Sequence, residues 1–201
     1  RVEIPLLLGV DAVHGAYNIL GATLFPQNIS LSMTHDPKLL EESAYWTAHD
    51  VLASGFNWIY APTVAITHNP NWGRTFESLG STPAWTRIYA AALIKGFQQN
   101  DVKHGTINGV LATAKHYIGD GATWNGIDEG NVHVIDMKRF LTVNFAGYAG
   151  AIDESIGSIM VSYSAINTLP MSFNRYQLTD LLKNGGKEVS SKPFEGLLVS
   201  D

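Results

Sequence analysis

Residues 110–121 read VLATAKHYIGDG, and they decide the fold because an apolar run ends there in a lysine and a histidine. We predict a buried strand over residues 110–117. Adjacent side chains of a strand point to opposite faces, so Lys115 and His116 cannot both be ordinary surface residues. A buried lysine is costly unless it meets a carboxylate or a ligand, and Asp11 or Asp201 could supply that partner. A purely structural ion pair is an equally good explanation.

Strands and helices alternate on both sides of this stretch. Four more strands are predicted, over residues 4–10, 56–61, 158–163 and 196–200. Helix-starting residues and stopping glycines predict the intervening helices at 37–54, 83–99, 137–152 and 175–185. Strands that alternate with helices of this length indicate a parallel sheet covered by helices, which is an α/β fold.

Two architectures compete for this pattern, an open doubly wound sheet and part of a (β/α)8 barrel. No G-x-G-x-x-G follows the first strand, which weakens the dinucleotide-binding form of the open sheet. Polar residues embedded in apolar sequence fall at the carboxyl ends of the strands, namely Asp11, Lys115, His116, Tyr163 and Asp201. Barrel enzymes build their sites on that rim, although strand ends also meet solvent for structural reasons.

We therefore expect part of a (β/α)8 barrel with about five parallel strands and intervening helices, truncated at both ends. The last predicted strand is followed directly by Asp201, with no helix to cover it. Five strands cannot close a barrel, so residues 1–201 are expected to form one partial barrel domain of a longer polypeptide.

The composition excludes several functional classes. The chain has 18 acidic and 13 basic residues, and a net charge of −5 disfavours nucleic acid or an anionic membrane as partner. No cysteine is present, which excludes disulfides, thiolate zinc sites and cysteine nucleophiles. The seven histidines form no metal-binding motif, so no metal site is expected. Few charges and many aromatic rings suit a large core, or a neutral polyhydroxylated ligand.

Two further stretches carry residues suited to chemistry. Asp201 follows an apolar strand and could act as a nucleophile, a general base, a metal ligand or a helix N-cap. Residues 71–77 read NWGRTFE, in which Arg74 offers a rigid fork for vicinal hydroxyls and Trp72 a stacking face. The structural alternative is a loop pinned by pairing of Arg74 with Glu77. His14 is expected to be a packing histidine.

Six short motifs occur in a recognisable order along the chain. They are residues 9–15 (GVDAVHG), 22–26 (ATLFP), 72–77 (WGRTFE), 114–121 (AKHYIGDG), 160–163 (MVSY) and 199–201 (VSD). Together they resemble the first domain of a glycoside hydrolase family 3 β-glucosidase or exo-β-glucanase. The resemblance extends over nearly the whole chain, and the motifs are specific as a set although each is weak alone.

The resemblance implies a retaining glycosidase that releases β-D-glucose from non-reducing ends through a glycosyl-enzyme on Asp201. It implies that Asp11, Arg74, Lys115 and His116 hold sugar hydroxyls, that Tyr163 lies close to the nucleophile and that Glu129 matches a subsite glutamate. In the family the acid/base glutamate comes from an α/β sandwich domain, which these 201 residues do not contain. The resemblance implies no cofactor and a small carbohydrate, a β-glucoside or oligosaccharide, as the partner, and it favours a periplasmic or extracellular location.

One subgroup of that family removes N-acetylglucosamine and carries an Asp-Ser/Thr-His motif shortly after the Lys-His pair. Residues 124–129 read WNGIDE in that region and contain no histidine, which favours the glucosidase type. Two alternatives stay open at this point, a β-N-acetylhexosaminidase of the same family and a non-catalytic sugar-binding homologue.

Overall fold

The structure is a computed structural model, and it describes residues 6–101, 106–189 and 192–201. The start of the strand predicted at residues 4–10 lies outside the described residues. The helices are α1 (Asn28–Ser32), α2 (Pro37–Ala53), α3 (Pro83–Gln98), α4 (Met137–Asn144) and α5 (Ala146–Asp153), followed by a π-helical segment at Tyr176–Lys183. Short 3-10 turns lie at Thr75–Glu77, Asp120–Ala122, Trp124–Gly126 and Met171–Phe173.

The strands of the described residues are short. They are β1 (Gly9–Val10), β2 (Trp58–Ile59), β3 (Asn100–Asp101), β4 (Thr106–Ile107), β5 (Thr113–Tyr117), β6 (Asn131–Val132), β7 (Ser158–Val161), β8 (Ala165–Ile166), β9 (Leu169–Pro170) and β10 (Leu197–Ser200). Strand β1 pairs in parallel with β2, and β7 pairs in parallel with β5 on one side and β10 on the other.

Backbone hydrogen bonds connect the two parallel groups. The amide of Ile59 donates to the Leu111 carbonyl at 2.9 Å, and the Leu111 amide donates to the Asn57 carbonyl at 2.9 Å. The order across the sheet is therefore β1, β2, β5, β7, β10, with each strand parallel to the next. The predicted α/β arrangement with parallel strands is confirmed.

Other features of the fold were not predicted. Antiparallel β3 and β4, and the group β6, β8 and β9, are strands of two residues, too short to leave a periodic pattern. The single helix predicted from Asp136 to about Ile152 is wrong, since α4 and α5 adjoin at Phe145. Near that junction the Asn144 side-chain amide donates to the Phe140 carbonyl at 3.0 Å, and such a bond competes with the helical pattern.

Helix α2 shows how the sequence specifies the helical layer. It begins as predicted after Asp36, whose carboxylate accepts from the Lys38 amide at 3.0 Å. Its buried face is formed by Leu40, Ala44, Ala48 and Val51, which recur every three or four residues. This face packs into the main hydrophobic core together with apolar residues of α3 and the sheet.

The amino-terminal ends of β5 and β7 are held by one buried amide side chain. Gln98, at the end of α3, accepts through Oε1 from the amides of Gly157 at 2.8 Å and Ala112 at 3.3 Å. Its Nε2 donates to the Ser155 carbonyl and to Asn100 Oδ1, both at 3.1 Å. Gln98 is fully buried, and this one neutral group connects the helix to two strands.

A register shift in β5 positions the residues of interest. Ala114 pairs with Ile159 and Tyr117 with Val161, so three steps along β5 match two along β7. An extra residue of this kind bends a strand and redirects its side chains. It falls at Lys115 and His116, which are both buried.

Helices α2 and α3 approach closely at Gly96, and this contact yields a stability prediction. A Cβ at this position would overlap the Glu41 carbonyl oxygen and lie 2.6 Å from the Ala44 Cβ. Because both are parts of a packed helix, we expect Gly96→Ala to lower the free energy of unfolding of the intact protein by about 1–3 kcal/mol. Chemical denaturation measures this change. Gly73→Ala is the matched control, since a Cβ there meets no atom within 4 Å; equal stabilities of the two variants would contradict the prediction.

Candidate active site

The first element of the site is an ion pair between the ends of β1 and β5. Lys115 Nζ lies 2.9 Å from Asp11 Oδ1, and Lys115 is only 4% exposed. The predicted requirement for a carboxylate partner is therefore met by Asp11. The pair gives the buried Lys115 side chain an acidic partner and places a half-exposed carboxylate at the carboxyl end of β1.

The second element is the pairing of Arg74 with Glu77. Arg74 Nε and Nη2 donate to the two carboxylate oxygens of Glu77 at 2.8 and 2.9 Å, and the Thr63 hydroxyl donates to Oε2 at 3.1 Å. Burial raises the pKa of Glu77, but the hydrogen bonds and charge of Arg74, with help from Lys115, hold it below its ordinary value. The pairing of Arg74 with Glu77 that was considered as a structural alternative is therefore present, and it holds this loop in place.

These two elements meet at a cleft of about 350 Å³. Its lining contains three predicted site residues and six others, namely Asp11, Val13, His14, Tyr17, Gln27, Arg74, Phe76, Glu77 and Lys115. Burial, and then the negative charges of Asp11 and Glu77, raise the pKa of Tyr17, which stays neutral. Sequence reasoning missed Tyr17, Gln27 and Phe76 as lining residues, because no motif connects these loop positions to the strand ends.

His14 has a packing role, as predicted, and it also lines the cleft. Its Nδ1 lies 2.9 Å from the Phe25 carbonyl oxygen. Its ring stacks on Tyr17 with the ring centroids 5.0 Å apart. The stacking face predicted for Trp72 is wrong, because Trp72 is 1% exposed and its Nε1 donates to Asp128 at 2.9 Å.

The third element joins His116 to two carboxylates. His116 Nδ1 lies 2.7 Å from Asp120 Oδ2, and its Nε2 lies 3.9 Å from Asp201 Oδ2. Asp120 is 3% exposed and also accepts from the Ser162 and Ser164 hydroxyls. Sequence reasoning missed Asp120, although its position four residues after a buried histidine was a usable signal.

The structure thus brings Asp11, Arg74 and Lys115 to one cleft, and His116 to Asp201. Tyr163 is 58% exposed and lies between the two serines that contact Asp120. Glu129 is exposed, and within residues 6–101, 106–189 and 192–201 it does not line the cleft that holds the Asp11–Lys115 pair. The roles expected for Tyr163 and Glu129 stay predictions.

Two properties of the described part of the chain bear on other classes of site. It contains no group of three or more His, Cys, Asp or Glu side chains that could hold a metal ion. No helix within it combines the length and the apolar character that crossing a membrane requires.

The chain matches one family of known proteins along its whole length. Residues 1–201 match the glycosyl hydrolase family 3 N-terminal domain over their whole length. The chain belongs to glycosyl hydrolase family 3. A lysosomal beta glucosidase of Dictyostelium discoideum is 33% identical, with 99% of this chain and 24% of the relative aligned. A periplasmic beta-glucosidase of Salmonella typhimurium is 26% identical, with 100% of this chain and 24% of the relative aligned. The chain thus spans about a quarter of the length of these relatives.

Solved structures of the family show the same fold. The exo-1,3/1,4-beta-glucanase of a Pseudoalteromonas species superposes with a TM-score of 0.91 at 38% identity, covering 98% of this chain and 24% of that chain. A beta-glucosidase of Listeria innocua in complex with glucose superposes with a TM-score of 0.87 at 25% identity, covering 100% of this chain and 26% of that chain. The described strands and helices are therefore those of a family 3 N-terminal domain.

The lowered pKa of Glu77 yields a pH prediction. A carboxylate whose folded pKa is depressed stabilises the fold above its unfolded pKa, about 4.3, and loses that contribution as pH falls through the folded value. We expect Glu77→Gln to lower the free energy of unfolding by about 1–3 kcal/mol at pH 7, because Arg74 loses a charged acceptor. The difference from wild type should shrink as the pH falls below 4. Urea unfolding of the intact protein at pH 7, 5 and 3.5 measures it, and a deficit independent of pH would contradict the assignment.

Proposed function

We propose that this chain is part of the (β/α)8 catalytic domain of a retaining β-glucosidase or exo-β-glucanase, which releases β-D-glucose from non-reducing ends. The observation that carries the proposal is the convergence of Asp11, Lys115 and Arg74 on one cleft of about 350 Å³ at the carboxyl ends of parallel strands. Membership of family 3, and relatives named as beta-glucosidase and exo-1,3/1,4-beta-glucanase, support it.

The cleft suits a hexose because it presents both kinds of hydrogen-bonding group. Asp11 and Glu77 only accept, whereas Lys115 and Arg74 only donate. A sugar hydroxyl does both, and it can therefore bridge a carboxylate and a cation. We assign Asp11, Arg74, Lys115 and His116 to the hydroxyls of the terminal glucose, since charge-assisted hydrogen bonds of this kind can strengthen as the ring flattens toward the oxocarbenium state.

Asp201 is the proposed nucleophile. Its carboxylate would attack the anomeric carbon and form a glycosyl-enzyme, while the bond from that carbon to the leaving oxygen breaks. The leaving oxygen takes its proton from a second carboxyl group, which in retaining enzymes lies about 5–5.5 Å from the nucleophile, and water activated by that second group then releases glucose. We expect that acid/base outside these residues, in the α/β sandwich domain known in the family. Tyr163 and Glu129 complete the proposed substrate site.

The remaining parts of the proposal follow from the family. No cofactor is required for double displacement by two carboxyl groups. The proposed partner is a small β-glucoside or oligosaccharide. A periplasmic or extracellular location is proposed, and a relative named as periplasmic supports it.

The assignment of Asp201 is tested by Asp201→Asn in the intact protein. We expect kcat on an aryl β-glucoside to fall about 10,000-fold while the circular dichroism spectrum is unchanged, because the nucleophile is removed without loss of volume. A 2-deoxy-2-fluoroglucoside with a good leaving group should label the wild-type peptide that contains Asp201, as measured by mass spectrometry. A label on another carboxylate would overturn the assignment, and faster cleavage of an aryl N-acetylglucosaminide would favour the hexosaminidase.

Lys115→Ala tests the sugar-binding role of the ion pair. The change removes a charge-assisted donor and leaves Asp11 without its partner, so we expect kcat/KM for an aryl β-glucoside to fall about 100-fold and KM to rise. Lys95→Ala is the control, since Lys95 pairs with Glu154 at 3.5 Å on the surface. Unchanged kinetics for Lys115→Ala would mean that the pair is structural.

A further inference from the structure

We propose that Asp120 is a positioning residue that orients His116 and the segment carrying Tyr163 around the nucleophile. The inference rests on the proposed function and adds a residue that does not itself touch the sugar. Asp120 follows β5 in a 3-10 turn and is 3% exposed, so it is a buried carboxylate without access to a substrate. Its two oxygens face different halves of the site.

The first oxygen holds His116. Asp120 Oδ2 accepts from His116 Nδ1 at 2.7 Å and from the His116 backbone amide at 3.3 Å. A carboxylate in this position only accepts, so Nδ1 carries the hydrogen and the ring orientation is determined. The opposite atom, Nε2, is then the one that faces Asp201 at 3.9 Å. Without Asp120 the ring could rotate and present either nitrogen.

The second oxygen holds the segment that follows β7. Asp120 Oδ1 accepts from the Ser162 hydroxyl at 2.6 Å and lies 3.3 Å from the Ser164 hydroxyl. Both serines are buried, whereas Tyr163 between them is exposed. Anchoring the residues on either side of Tyr163 therefore fixes the backbone from which its ring projects.

The same segment reaches the nucleophile. The backbone amide of Asp201 donates to the carbonyl of Val161 at 3.2 Å, immediately before Ser162. Asp120 thus contacts His116 directly, is joined to Tyr163 through Ser162, and is joined to Asp201 through Ser162 and Val161. Four donors converge on its two oxygens, so an amide at this position would place an NH2 group against hydrogen-bond donors.

A double-mutant cycle distinguishes positioning from a purely structural role. In the intact enzyme we expect Asp120→Asn and His116→Ala each to lower kcat/KM on an aryl β-glucoside about 100-fold. Because part of the effect of Asp120 passes through His116, the loss in the double variant should fall well short of the product of the two single losses, within about tenfold of the worse single variant. Additive losses of about 10,000-fold, or near-normal kcat/KM in Asp120→Asn, would overturn the proposal.

Controls keep the result interpretable. Asp153→Asn is the matched change, since Asp153 pairs with Arg87 on the surface at 2.5 Å, and it should leave kcat/KM unchanged. Should Asp120→Asn fail to fold, Ser162→Ala decides: a fall of about tenfold in kcat/KM supports the proposal, and a rate within twofold of wild type refutes it.

Labelling by the 2-fluoroglucoside distinguishes failure of the proposed function from failure of the role proposed for Asp120. If Asp201 is not labelled in the wild type, the proposed function fails; if Asp201 is labelled at the normal rate in Asp120→Asn, only this inference fails.

Discussion

The buried ammonium of Lys115 is the constraint on which the site depends. Burying a lysine to 4% exposure is costly unless a carboxylate accompanies it, and Asp11 does so at 2.9 Å. Asp11 follows β1, and β2 lies between β1 and β5 in the sheet. The ion pair therefore connects two non-adjacent strand ends across a third, and it fixes the shape of the rim from which the cleft is built.

Two other basic side chains around the rim are also paired with a carboxylate. Arg74 is matched by Glu77, and His116 by Asp120, each with two contacts between the paired residues. In both pairs the acidic member is more buried than a surface carboxylate and also accepts from a hydroxyl. Such groups stay rigid because every alternative position would leave a donor or an acceptor without a partner. The proposed recognition of a sugar would use such fixed donors and acceptors.

Much of this arrangement could be predicted from the amino-acid sequence. Parallel strands with helices between them followed from the alternation of apolar runs and capping residues, and the need of Lys115 for a carboxylate followed from burial cost alone. Asp120 was not found, because the prediction gave His116 no partner of its own, although Asp120 stands four residues after it. The prediction that Trp72 offers an exposed stacking face was wrong, because nothing in the sequence of a polar loop shows that the loop folds over its aromatic residue.

The two ends of the sheet are stabilised by different chemistry. At the amino-terminal end, Gln98 connects α3 to β5 and β7 with a neutral amide. At the opposite end the connections run through acidic side chains: Asp11 pairs with Lys115, Glu77 with Arg74 and Asp120 with His116. Because the pKa of Glu77 is held below its ordinary value, acidification through that value should loosen the loop around Arg74 first, whereas the contacts of Gln98 do not titrate. Hydrogen exchange or limited proteolysis in acid would then begin in that loop, at the edge of the cleft, before the amino-terminal end of the sheet opens.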